Sequence, residues 1–199
     1  MMQRHRETIM FRKLIVLALF FGAFNLSISH AQDAQPEGEV TYGNTEVTHA
    51  VADFFGVTSE AAGSAVESIF AKQGRPVGYI YGGEAAAAIG VGLRYGKGTM
   101  VLKDGTRATV YWQGPSIGFD VGGNGSKVFT LIYGLRNYEQ IYRRFPGVDG
   151  SAYLIAGMGI NYQIGHGMTL VPMRSGGGLR LGANVGYLKY SRKRKILPF

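Results

Sequence analysis

The chain contains no cysteine. Disulfide bonds, thiol catalysis and a lipid-modified N-terminal cysteine are therefore excluded, and the fold must be stabilised by its core alone. Histidine is scarce as well, and beyond position 31 only His49 and His166 remain. Neither has potential metal ligands at a useful spacing, so the sequence predicts no metal site and no cofactor.

A long apolar run that could span a membrane is missing too. The run Leu14–Phe24 is about half of the roughly 20 residues that such a helix needs. Four basic residues precede it and the small-residue site Ser29-His30-Ala31 follows, which is the layout of a secretory signal peptide. We expect residues 1–31 to be removed by cleavage after Ala31 and the mature protein to be periplasmic. Met10 is an alternative start site.

Acidic residues are outnumbered, and the net charge is +8. Much of the excess lies in one C-terminal cluster, which consists of Lys189, Arg192, Lys193, Arg194 and Lys195. An exported protein meets anionic lipid headgroups and lipopolysaccharide rather than nucleic acid, so peripheral membrane contact is one interpretation of the cluster. The alternative is a solvated terminal extension.

The chain is predicted to begin with a flexible lead-in and two short helices. Residues 32–43 are polar, whereas apolar side chains recur with helical spacing over 44–74. Gly56 ends the first helix, and the second begins near Thr58 or Ser59.

Beyond this helical segment the pattern becomes that of strands, and 26 of the 31 glycines lie at or after position 74. Predicted turns separate the strands at Gly82-Gly83, Gly96-Lys97-Gly98, Asp104-Gly105, Asn124-Gly125, Gly165-His166-Gly167 and Ser175–Gly178. The expected strands are about 77–82, 85–95, 99–103, 107–113, 116–122, 127–133, 151–163, 168–174 and 179–190.

These features predict an all-β fold, namely a small soluble antiparallel β-barrel of about eight strands over 75–190. A barrel is expected because closing the sheet on itself removes its exposed edge strands. Small residues on one face of the second strand, from Ala86 to Gly92, favour a narrow barrel. A short inserted helix is expected over Asn137–Phe145, and residues 191–199 form the basic tail. An outer-membrane barrel ending at Phe199 is disfavoured, since the last residues lack a lipid-facing alternation.

Three polar residues on the predicted strands are candidate ligand-binding residues: Arg94, Ser116 and Asp120. If these side chains face the interior, Arg94 and Asp120 would neutralise each other, because a buried charge needs a partner. A structural ion pair, or simply an outward polar face, is favoured over a ligand site.

The run Gly114–Gly118 also matches the G-x-S-x-G pattern of a nucleophile elbow, and Asp120 and His166 follow Ser116 in the order used by α/β-hydrolases. An elbow requires a strand, a sharp turn and a helix, but the residues after Ser116 alternate like a strand. The sequence therefore predicts no enzyme, and a serine hydrolase using Ser116 ranks last among the functions considered.

Three motifs resemble one known family. They are Gly82-Gly83-Glu84, Gly92–Gly98 and Gly114–Gly125, and they are similar to those of the periplasmic envelope integrity protein A (EipA) family of alphaproteobacteria, long a domain of unknown function. The resemblance implies a soluble periplasmic β-barrel needed for resistance to envelope stress, with links to lipopolysaccharide. It implies no catalytic residues.

A weaker resemblance is to SYLF-domain lipid-binding proteins. Ser116, Gly118, Asp120 and the pair Gly122-Gly123 follow the order of that family's glycine-rich run. Asp120 departs from it, since an amide is more usual there. The resemblance leaves lipid binding open.

The sequence thus predicts a non-enzymatic periplasmic protein that supports envelope integrity by binding a lipid, a glycan or an assembly partner. The alternative is a structural interaction module without an internal ligand, which would dock through the basic tail and the helices. An amphiphilic cavity favours the first function, and a filled interior favours the second.

Overall fold

The computed structural model describes residues 40–120, 125–148, 151–175 and 186–195, and for 86–91 and 116–120 it describes the backbone alone. The predicted signal peptide lies outside these residues and stays a prediction. No helix in the described part of the chain combines the length and the apolar character needed to cross a bilayer.

Two helices come first, as the sequence predicts. Helix α1 (Asn44–Phe55) ends at Gly56, whose positive φ of 71° suits glycine. Helix α2 (Ser59–Gln73) begins where the Thr58 hydroxyl accepts a hydrogen bond from the Ala61 amide at 3.3 Å. Both helices therefore begin and end at residues whose local chemistry explains their limits.

The described residues after the helices form an antiparallel sheet of nine strands. The strands are β1 (Gly78–Leu102), β2 (Arg107–Asp120), β3 (Ser126–Tyr133), β4 (Arg144–Pro146), β5 (Tyr153–Ile155), β6 (Met158–Ile160), β7 (Gln163–Gly165), β8 (Met168–Ser175) and β9 (Tyr187–Ser191). Their order is β4-β9-β2-β1-β3-β8-β6-β5, and β7 pairs with the other half of β8. The predicted all-β fold with two N-terminal helices is confirmed.

The sheet curls into a small barrel because the residues that follow β4, at one end of its order, meet β7. A bridge between Gly147 and Gln163 joins the residues after β4 to β7. The Val148 amide also donates to the Tyr162 carbonyl oxygen at 3.0 Å. This contact closes the path from β4 through β9, β2, β1, β3 and β8 to β7, which leaves few exposed edges.

Two cores stabilise the domain. The barrel interior is filled by a cluster that includes Ile80, Met100, Val110, Trp112, Ile132, Phe145, Leu170 and Leu188. The second core lies between the helices and the outer face of the barrel, and includes Val47, Val51, Val66, Ile69, Phe129, Leu131, Ile160 and Met173. Strand β3 contributes to both cores, so six of its eight residues are buried.

Two of the predicted turns are wrong, because the residues concerned lie inside β1. Its first arm (78–84) pairs with β3, and its second arm (88–101) pairs with β2. The arms pass so close that a Cβ on Gly82 would overlap the Lys97 carbonyl oxygen and one on Gly98 would meet the Tyr81 carbonyl oxygen. These glycines allow a close approach of backbones rather than a reversal.

Two further segments differ from their predicted form. The inserted helix is a single 3-10 turn, Tyr138–Ile141, and the chain returns to the sheet in β4. The strand predicted over 151–163 is divided into β5, β6 and β7, because Ala156 and Gly157 adopt positive φ and form a turn.

Candidate functional site

A carboxylate and two guanidinium groups meet at the end of the first arm of β1. Glu84 Oε1 forms an ion pair with Arg94 Nη1 at 3.2 Å and accepts a hydrogen bond from Arg174 Nε at 3.1 Å. Its other oxygen accepts from the indole N–H of Trp112 at 2.8 Å. The side chains of Arg94 and Glu84 are only 8% and 3% exposed, and that of Arg174 is 13% exposed, so three charges lie together with little access to solvent. We call Glu84, Arg94, Trp112 and Arg174 the charge cluster.

The charge cluster keeps Glu84 ionised. Burial alone would raise the pKa of Glu84, because it penalises the charged form. The Arg174 and Arg94 guanidinium groups, with the hydrogen bonds from Arg174 and Trp112, outweigh burial and hold the pKa below its ordinary value. Two cations surround one anion, so the cluster has an excess positive charge.

Further polar side chains continue this network across the barrel. Arg174 Nη1 donates to Asn161 Oδ1 at 2.6 Å, and the Tyr190 hydroxyl donates to Gln163 Oε1 at 3.1 Å. Burial raises the pKa of Tyr190, which therefore stays protonated. These bonds tie β7, β8 and β9 together through polar contacts.

A surface pocket of about 530 Å³ opens beside the charge cluster. It is lined by Gly83, Glu84, Ala85, Tyr95, Gly96, Lys97, Tyr111, Trp112, Gln113, Arg194 and Lys195. Three of these residues carry a positive charge and three are aromatic. We call it the basic pocket, and its volume lies within the usual range for small-molecule sites.

Strand register explains how four of these side chains come together. Tyr95 lies opposite Gln113, and Lys97 lies opposite Tyr111. Positions two apart on a strand share a face, so the two pairs form one patch on the β1–β2 ladder. The Lys97 ammonium lies 5.7 Å from the centre of the Tyr111 ring.

The C-terminal tail reaches the basic pocket because contacts hold its first residues in place. The Ser191 hydroxyl donates to the Lys193 carbonyl oxygen at 2.9 Å. Arg192 forms an ion pair with Glu139 and lies over the Tyr142 ring, 5.1 Å from its centre. The next two residues, Arg194 and Lys195, then line the pocket.

The predicted site residues have different places in the structure. Arg94 belongs to the charge cluster, where its observed partner is Glu84. Ser116 and Asp120 lie further along the β1–β2 hairpin, opposite Gly92 and Ala88, and their side chains are outside the described part of the chain. Their role in binding stays a prediction.

The strand–turn–helix context of a nucleophile elbow is not observed, because the whole G-x-S-x-G run lies inside β2. His166 lies in the turn between β7 and β8, and its Nε2 is 3.2 Å from the Arg144 carbonyl oxygen. Among the described residues, no three His, Asp or Glu side chains are grouped as metal ligands would be.

Sequence reasoning missed most of the basic pocket. Glu84 could have been found, because it continues the inward alternation of Ile80 and Gly82 and is charged. Tyr95, Lys97 and Gln113 give no such signal, since each is an ordinary strand residue until the register of β1 and β2 is known. Arg194 and Lys195 were predicted as part of a basic cluster, but not as pocket residues.

The fold is that of a small antiparallel β-barrel with two helices packed on one face and a charge cluster beside a basic pocket. Comparison with family models assigns the chain to one family. The chain belongs to the envelope integrity protein A (EipA) family, whose model matches residues 40–199. The predicted membership is therefore confirmed, and the protein is associated with the integrity of the cell envelope.

The chain is similar to a solved protein whose crystal structure is described as that of a beta-barrel-like, uncharacterized protein from Brucella abortus. The two chains share 46% identity, and the match covers 80% of this chain and 99% of the other with a TM-score of 0.72. No protein in a curated set matches the chain significantly.

Proposed function

We propose that the protein is an exported, non-enzymatic periplasmic protein that supports envelope integrity by binding an anionic component of the envelope in the basic pocket. The observation that carries this proposal is the pocket itself. Lys97, Arg194 and Lys195 surround an opening that is also lined by Tyr95, Tyr111 and Trp112. Cationic groups beside aromatic faces suit a ligand with a negative group and a less polar body.

The electrostatics of the pocket floor favour an anion in spite of Glu84. Its carboxylate is already engaged by Arg94, Arg174 and Trp112. The excess guanidinium charge of the cluster adds to the three cations at the rim. A ligand anion therefore approaches a site whose charge is positive overall.

The structure gives less support to docking through the helices. The apolar residues of α1 and α2, such as Val47, Val66 and Ile69, are buried against the outer face of the barrel. These faces are therefore not free for a partner protein. The barrel interior is filled by side chains where the structure describes it, so the pocket rather than the barrel centre is the site for a ligand.

Binding rather than catalysis is proposed because the residues around the pocket do not form an acid–base pair with a nucleophile. Among the described residues, the one carboxylate that lines the pocket is Glu84, and both of its oxygens accept from donors. The same surroundings lower its pKa, which makes it a weak general base.

The proposal is tested in cells that lack their own copy of the gene. The pocket variant Lys97→Gln, Arg194→Gln, Lys195→Gln removes the three rim charges. A matched control variant, Arg107→Gln, Arg136→Gln, Lys193→Gln, removes three charges from exposed side chains that do not line the pocket. Survival in detergent and the level of each protein are measured together.

We expect the control variant to restore survival and the pocket variant to fail while accumulating to the same level. If the pocket variant restores survival as well as the natural protein does, the basic pocket has no part in envelope integrity.

A further inference from the structure

The basic pocket contains a buried amide group with an unused donor. Gln113 is only 1% exposed, and it lines the pocket. Its Nε2 has no hydrogen-bond acceptor within reach among the described residues. Leaving a buried donor unpaired is unfavourable, and a ligand atom that accepts a hydrogen bond would satisfy it.

Tyrosine rings lie on two sides of this amide. Tyr95 lies directly across the ladder from Gln113, and Tyr111 lies two positions before it on β2. The three side chains therefore share one face of the sheet. Tyrosine offers an apolar face and a polar hydroxyl edge, so this arrangement suits a ring that is apolar on its faces and polar around its edge.

The cations lie at the rim of the same opening. Lys97 follows Tyr95 on the same face of β1, and Arg194 and Lys195 come from the tail. Lysine and arginine side chains at a pocket rim bind phosphate and carboxylate groups. The pocket thus presents two kinds of chemistry, cationic groups at its rim and a neutral hydrogen-bonding amide at Gln113.

We infer that the basic pocket takes a sugar carrying a phosphate group, with the phosphate on the rim cations and a sugar oxygen accepting from the Gln113 amide. This inference rests on the proposed function and adds the chemical class of the ligand. A phosphate held at the rim cations alone would leave the Gln113 donor unpaired, and an acyl chain would offer neither an acceptor to the amide nor a charge to the rim.

The chain supplies its own reporter of binding. Trp112 is the only tryptophan of the protein, and it lines the pocket. Its fluorescence is titrated with glucose 1-phosphate, inorganic phosphate and glucose, using the chain from residue 32 onward. We expect glucose 1-phosphate to bind about tenfold more tightly than inorganic phosphate, since one additional buried hydrogen bond is worth about this factor.

Two variants test whether the difference in affinity between glucose 1-phosphate and inorganic phosphate comes from Gln113 and the neighbouring tyrosine ring. Gln113→Leu is expected to bind glucose 1-phosphate and phosphate equally, and Tyr111→Leu is expected to reduce the difference by removing one aromatic face. Thr109→Val is the matched control, because Thr109 is an exposed polar residue of the same strand that does not line the pocket. A thermal melt of each variant confirms that it is folded.

The outcomes separate this inference from the proposed function. If phosphate binds as tightly as glucose 1-phosphate, and the pocket variant loses both, the anion site stands but the sugar inference is wrong. If no probe changes the fluorescence, both are contradicted. A parallel titration with phosphatidylcholine vesicles, with and without phosphatidylinositol, shows whether a polyol phosphate is bound from a membrane surface or from solution.

Discussion

Glu84→Gln removes one negative charge from the interior while keeping the size of the side chain. Arg94 and Arg174 are then buried beside a neutral amide, whose NH2 group faces donors instead of accepting from them. Removing one partner of a buried ion pair typically costs about 3–5 kcal/mol. Because Glu84 is only 3% exposed, pairs with two guanidinium groups and accepts from Trp112, we expect a loss in that range. That is a large part of the roughly 5–15 kcal/mol by which domains are stable.

The assay is urea unfolding of the chain from residue 32 onward, followed by circular dichroism at neutral pH and in acid. Since the folded pKa of Glu84 is lowered, the stabilisation from its ionised form is complete above the ordinary value of 4.5. It is lost as the pH falls through the lower folded pKa. The difference between the natural protein and Glu84→Gln should therefore shrink in acid.

Glu46→Gln is the matched control. Glu46 also pairs with a basic residue, Lys103, but its side chain is 49% exposed, so solvent screens the pair. We expect a much smaller loss at neutral pH. If Glu84→Gln is as stable as Glu46→Gln, the charge cluster does not stabilise the barrel, and the reasoning from burial is refuted.

Two local features give further predictions. Gly82→Ala should destabilise the barrel by about 1–3 kcal/mol because its Cβ would overlap the backbone of Lys97 and Gly98, whereas Gly83→Ala, with open space around the position, should stay within about 0.5 kcal/mol. Equal melting temperatures for these two variants would contradict the close approach of the β1 arms. Thr58→Ala should cost about 1 kcal/mol by removing the N-cap of α2. Thr58→Ser, which keeps the hydroxyl, should recover most of that loss in the same urea assay.

Local signals explain what the sequence predicted well. The limits of the two helices follow from Gly56, Thr58 and Gly74, which act on their own neighbours in the chain. The Asp104-Gly105 turn is also local, and the structure contains it between β1 and β2. Family membership was predicted from motifs whose order is visible in the sequence, and the family model confirms it.

Contacts between distant residues explain what was missed. Glycines at positions 82 and 98 have the sequence appearance of turns, and only the packing of one β1 arm on the other shows that they lie inside a strand. The sequence identified Arg94 as a charged residue in an alternating strand. Its partner Glu84 also pairs with Arg174, which comes from β8. Such a triad cannot be found by spacing along the chain.

The most direct test of ligand binding in the basic pocket is native mass spectrometry, with extraction of bound molecules, on the protein purified from its own periplasm. The account predicts a mass above that of the chain, a phosphate-containing molecule in the extract, and loss of both in the variant Lys97→Gln, Arg194→Gln, Lys195→Gln. A bare chain mass, or a bound molecule that the variant retains, would contradict it.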